Sequence, residues 1–151
     1  MELLCATNHT DELLAALTRL GVAGVYGKLE ADVVGGGRAS VLTPSPGRRG
    51  FARHVRRARA LGLSFSYLLN AACLDNRELT RPFHRRLRRL LDWIVEIGVD
   101  RVTVALPYLA QMVHRHYPEL GINASAFASI DSLQQAQFWE DLGADQLTLS
   151  P

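Results

Sequence analysis

Four times along the chain a helical stretch ends on an apolar residue and a glycine, and a β-rich run begins at once. The four stretches are LGVAGVYG, LGLSFSYLL, IGVDRVTVA and LGADQLTLS. A glycine in that place suits the left-handed residue that closes a helix. The residues after it, rich in Val, Leu, Tyr and Phe, suit a buried strand. The recurring unit is helix, short turn, strand, and its uneven spacing separates it from a solenoid repeat. Strands joined through helices run parallel, with right-handed crossovers. A chain written this way has few choices outside the parallel α/β class.

The apolar pattern predicts strands over residues 2–7, 22–28, 64–69, 101–106, 122–127 and 146–149. It predicts helices over 12–20, 51–61, 82–97, 107–117 and 133–142. Thr10 or Asp11 caps the first helix, Asp131 or Ser132 the last, and Pro82 suits a first turn. Residues 31–50 form a long loop holding Gly35, Gly36, Gly37, Arg38, Pro44 and Pro46. Both a doubly wound sheet and a (β/α)8 barrel fit six such strands. Short turns into strands and long loops out of them favour a TIM-like barrel, whose variable loops sit at the carboxyl ends of the strands. Six strands of eight leave it incomplete. The expectation is one α/β domain over residues 1–151, the amino-terminal part of a longer barrel. A second subunit completing the barrel as a homo-oligomer, or an open sheet with a covered edge, are the other solutions.

A hydrophobic share of 48% is that of an ordinary globular domain. No apolar run approaches the roughly 18 residues of a membrane span, so no membrane contact is expected. Met1 leads straight into Glu2 and a strand-like run, which reads as a cytoplasmic chain without a leader. Cys5 and Cys73 alone make no disulfide framework. The net charge of +2 is modest but unevenly placed: six arginines fall within residues 48–59 and six more within 77–89, and Lys28 is the only lysine. Two adjacent arginine-rich helices suit RNA or another polyanion; a solvated outer surface is the plainer reading.

Function in such folds collects where strands hand over to loops. Asn8, Lys28, Arg38, Asn70, Cys73, Asn76, Tyr108 and Ser125 all fall at or just past strand ends, and are expected to line a substrate-binding mouth for a peptide or small molecule. Lys28 and Arg38 would bind an anionic group, while Asn8, Asn70 and Asn76 would orient substrate. Lys28 follows an apolar strand and needs a ligand or a partner such as Glu30. Gly35 to Gly37 match no phosphate-binding fingerprint. Cys73 is a candidate nucleophile with His9 as its base. His114 and His116 are two apart on a helix and do not share a face, and no H-E-x-x-H is present. No residue is expected to hold a metal, and the catalytic residues stay unassigned.

MELLCAT, GVYGKL, GGGRAS, YLLNAACLDNRE, IGVDRVTVALPYL and INASAFASIDSLQQAQFWEDLGADQLTLSP form an ordered series. Through it the chain resembles the amino-terminal part of the collagenase-like peptidase family, peptidases of unknown catalytic type. Thr7-Asn8-His9 stands where members usually carry a Pro-Gly turn. The resemblance implies a TIM-like barrel and peptide hydrolysis. It also implies an alternative, an iron–sulfur-dependent role in oxygen-independent hydroxylation of RNA bases or of a quinone precursor. A cluster of that kind takes four thiolates, so this segment alone would hold none. A non-catalytic fragment that binds RNA or a partner is the third reading.

Overall fold

The computed structural model describes residues 3–36 and 46–149. Six strands build one sheet: β1 (Leu4–Ala6), β2 (Gly24–Gly27), β3 (Ser64–Leu69), β4 (Arg101–Val104), β5 (Gly121–Ala124) and β6 (Gln146–Leu147). Every adjacent pair is parallel, and the spatial order is β1-β2-β3-β4-β5-β6. A doubly wound sheet reverses direction at a switch point; an order that simply follows the chain is that of a barrel wall. The protein is a curled half-barrel, α/β and TIM-like. Its helices are α1 (Asp11–Arg19), α2 (Gly47–Ala60), α3 (Arg81–Glu96), α4 (Pro107–His116) and α5 (Leu133–Asp141).

The predicted turns are present and share one geometry. After α3, Gly98 adopts φ +86°, its N–H donates to Val95 O, and Val99 N–H donates to Ile94 O. This is a Schellman closure, and the same pair of bonds recurs around Gly21, Gly62 and Gly143. Each turn delivers the chain directly into the next strand. Thr10 caps α1 by accepting from Leu13 N–H, and Ser132 caps α5 by accepting from Gln135 N–H.

Several boundaries differ from the sequence reading. Helix α2 starts at Gly47, four residues before the predicted Phe51, because its polar first turn carries no apolar periodicity to reveal it. Strand β5 stops at Ala124, since Ser125 turns to cap a 3-10 turn over Ala126–Ala128. Strand β4 likewise stops at Val104, before Pro107 opens α4.

The helix-facing side of the sheet carries the core. Val25, Phe65, Tyr67, Leu69, Val102, Val104, Ile122 and Ala124 are all buried under the helices. Phe51 of α2 meets Phe65 and Tyr67 with ring centroids 5.5 Å away in each case, and Trp93 of α3 at 5.9 Å. Burying a side chain of this size contributes about 1.5–3 kcal/mol, so this cluster ties α2 and α3 to the middle of the sheet. The opposite face is concave and differently made.

Candidate functional site

Side chains alternate along a strand, so residues next to those core positions point into the concavity. There they enclose a cavity of about 510 Å³. Tyr26 comes from β2, Ser66 and Leu68 from β3 with Asn70 just beyond it, Thr103 from β4, Asn123 from β5 and Gln146 from β6. Ser125, Phe127 and Thr148 close the upper side. Apart from the Tyr26 phenol, the described residues of this lining carry no titratable side chain. They offer amides and hydroxyls over a partly apolar floor of Leu4, Ala6 and Leu68.

The polar groups are chained across the strands. Ser66 Oγ lies 2.9 Å from Thr103 Oγ1, and the Asn123 amide lies 3.4 Å from Thr103 Oγ1 and 3.3 Å from Thr148 Oγ1. Turned so that its nitrogen faces the Gln146 and Ala124 carbonyls, each 3.2 Å away, that amide donates to both. Asn70 Nδ2 donates to Ser125 Oγ at 3.4 Å, and Ser125 Oγ accepts from Phe127 N–H. Such a network fixes the rotamers of its members, so a ligand would meet a preorganised set of donors and acceptors.

Beside the mouth lies a buried ion pair. Lys28 Nζ is 3.1 Å from Asp32 Oδ2, with 3% and 2% of the two side chains exposed. Asp32 also accepts from the N–H groups of Val34 and Gly35 and from the Tyr67 hydroxyl at 2.9 Å. Burial, and next the Asp32 charge, push the Tyr67 hydroxyl well above its ordinary pKa, so it stays a donor. The network pins the loop after β2 and brings Gly36 against the site. A Cβ at Gly36 would stand 2.6 Å from Asn70 Oδ1 and 3.6 Å from Lys28 Nζ, so a side chain there would push the Asn70 amide out of its place. The partner of Lys28 is thus Asp32; Glu30 is exposed.

Of the residues expected at a common mouth, Lys28, Asn70 and Ser125 come together. The others do not join them. Asn8 is exposed and its Oδ1 accepts from Thr10, shaping the entry to α1. Asn76, at φ +59°, precedes the 3-10 turn Arg77–Leu79 and faces solvent. Tyr108 packs on His84 between α3 and α4, its hydroxyl 3.2 Å from His84 Nδ1. Cys73 is exposed and its neighbour is Asp75, whose N–H donates to the thiol at 3.3 Å. His9 lies against Phe51 and His54 instead, so the pairing of Cys73 with His9 is not formed. Arg38 lies outside the described residues, as does Gly37.

Sequence reasoning missed Ser66, Thr103, Asn123 and Asp32. His54 of α2 is buried, and its Nε2 is 2.6 Å from Thr7 Oγ1. Among the described residues no three His, Cys, Asp or Glu side chains converge as a metal site. Cys5 sits on β1, its thiol 3.6 Å from Ala6 O, and Cys73 in the loop after β3. Two thiols on separate elements do not fit an iron–sulfur cluster, and no step is assigned to one.

The family model for peptidase family U32 matches residues 47–151. The chain belongs to peptidase family U32. It is 30% identical over 118 residues to the uncharacterized protease MJ1657 of Methanocaldococcus jannaschii, covering 78% of this chain and 34% of that protein. It is 29% identical over 99 residues to tRNA hydroxylation protein P of Escherichia coli, covering 64% of this chain and 20% of that one. The solved U32 peptidase Mk0906 superposes with a TM-score of 0.79 at 25% identity, over 100% of this chain and 59% of its own. This U32 chain therefore spans about a third and a fifth of the two curated relatives, and somewhat over half of the solved one. Among the described residues no helix is long and apolar enough to cross a membrane.

Proposed function

We propose that this chain is the substrate-binding wall of a U32-family enzyme, one that takes a flat, uncharged, hydrogen-bonding group of a polymer into the concave face. The observation that carries this reading is the lining: amides and hydroxyls from neighbouring strands, without a described carboxylate, imidazole, thiol or ammonium group. Such a surface recognises and orients. It does not by itself activate water or form a covalent intermediate, which needs a nucleophile and base within hydrogen-bond reach.

The group we favour is a nucleobase of RNA. Paired amide donors and acceptors such as Asn70, Asn123 and Gln146 match the edges of a base, and single-stranded RNA is read on those edges. One relative is named for tRNA hydroxylation, in line with this choice. A second reading, peptide hydrolysis, is favoured by the family's own name and by the relative named as a protease. A backbone amide would use the same donors and acceptors.

The test uses the full-length protein and NMR or calorimetric titration with uridine, cytidine and a blocked dipeptide amide. Preferential binding of a nucleoside, weakened about tenfold in Asn123→Ala, supports the favoured reading. Preference for the dipeptide, weakened by the same substitution, replaces it with the second. Binding of either that is indifferent to both Asn70→Ala and Asn123→Ala sinks the assignment of the cavity.

A further inference from the structure

A second concavity lies on the outer side of the fold, between α2 and α3. It is a groove of about 210 Å³ whose floor includes Val33 and Leu90 and whose sides carry Arg48, Arg86 and Arg89. All three arginines are exposed. The arginine ion pairs among the described residues are Arg59 with Asp100 and Arg101 with Asp145, so none takes these three. The one carboxylate lining the groove, Asp32, is already held by Lys28, Tyr67 and two backbone N–H groups. Arg48 lies over the Trp93 ring, 4.8 Å from its centroid, which fixes its guanidinium at the groove's edge.

The charge around the groove is not a balanced surface. Helix α2 carries six arginines and no acidic residue. Arg48 and Arg49 stand in its first turn, where the helix dipole disfavours cations. Exposed helices usually gain support from acid–base pairs three or four residues apart, and α2 has none. An anion in the groove would relieve this repulsion. Guanidinium groups match the oxygens of a phosphate in bidentate fashion, and three that converge suit a group with several oxygens better than a carboxylate with two.

We propose that the groove formed by Arg48, Arg86 and Arg89 binds a backbone phosphate of single-stranded RNA. The choice of polymer rests on the nucleobase reading above; the groove itself does not. Asp32 links the two places, since it lines the groove and also holds Lys28, which flanks Gly36 and Asn70 at the cavity. The loop after β2 therefore borders both, so a strand held by its phosphate on the outside runs past the rim from which a base would enter.

The experiment measures binding of a fluorescent single-stranded RNA to the full-length protein across a salt series, for wild type, Arg86→Gln/Arg89→Gln and Asn123→Ala. Both arginines are exposed, and an unchanged melting temperature checks that the double variant folds. The expected result is about tenfold or greater weakening in the arginine variant, with the log–log salt slope reduced by about 0.7, the share of one phosphate on a single strand. Asn123→Ala keeps the wild-type slope and loses discrimination between bases. Equal binding and an equal slope in the arginine variant overturn the groove while leaving the nucleobase reading standing. Polyglutamate binding as tight as RNA, and lost in the same variant, overturns it in favour of an acidic protein partner. No RNA binding by wild type overturns both.

Discussion

Phe65 and Ser66 are neighbours on β3 and belong to different worlds. Phe65 points outward into the ring cluster with Phe51 and His54, fully buried beneath α2. Ser66 points inward and shares a 2.9 Å hydrogen bond with Thr103 at the cavity floor. The same alternation divides Leu69 from Asn70 and Val104 from Thr103. One face of the sheet holds the fold together and the other presents hydrogen bonds to whatever enters. Stability and recognition are therefore separable by a shift of a single residue along the strand.

The largest expected effect tests that separation directly. Phe65→Ala removes a ring from a closed aromatic core and should cost about 3–5 kcal/mol of unfolding free energy. Ser66→Ala leaves Thr103 with the Asn123 amide 3.4 Å away and should cost about 1 kcal/mol or less. Urea denaturation of both variants reads the difference. Equal losses would mean that the concave face is as much a part of the core as the helix-facing one.

A smaller effect concerns the buried ion pair of Lys28 and Asp32. Asp32→Asn strands the Lys28 ammonium, and should cost about 3 kcal/mol. Lys28→Met should cost less, because Asp32 keeps three hydrogen-bond donors from Val34, Gly35 and Tyr67. The double substitution should recover most of the loss, since it removes both the charge and its stranded partner. Additive losses in that double-mutant cycle would show that the pair acts only as a loop anchor and not through its charges.

What the sequence makes legible follows from these same forces. The four helix–Gly–strand junctions are local, so their residues announce them, and each forms the expected closure. The order of parallel strands follows from those junctions. The site is legible only in part. Residues at strand ends share a level in the barrel but not a direction: Lys28, Asn70 and Ser125 turn toward the cavity side, while Tyr108 turns to His84 and Asn8 to Thr10. Ser66, Thr103 and Asn123 were hidden inside strands read as apolar, although the polar–apolar alternation of SFSYLLN carries that signal. Asp32 was hidden because its link to Lys28 depends on an irregular loop whose turn is closed by Asp32 itself.

The last and smallest prediction probes the boundary between α2 and the strand ends. His54 is buried with its Nε2 on Thr7, His9 packed edge-on to it and Phe65 against its ring. Burial lowers its pKa from the ordinary 6.5, and the Asp11 charge opposes that only in part. Because the folded pKa lies below the unfolded one, the unfolded chain binds the extra proton in the window between them. Stability is then full above about pH 6.5 and falls as the pH drops through that window toward the folded value. His54→Gln keeps a hydrogen-bonding side chain near Thr7 and does not titrate. Its stability should fall less than that of wild type between about pH 7.5 and about pH 5.5, measured by chemical denaturation at each pH. Parallel curves would place the His54 proton affinity at its ordinary value, and so mark the α2 interface as open to water where the outward face of the sheet is otherwise dry.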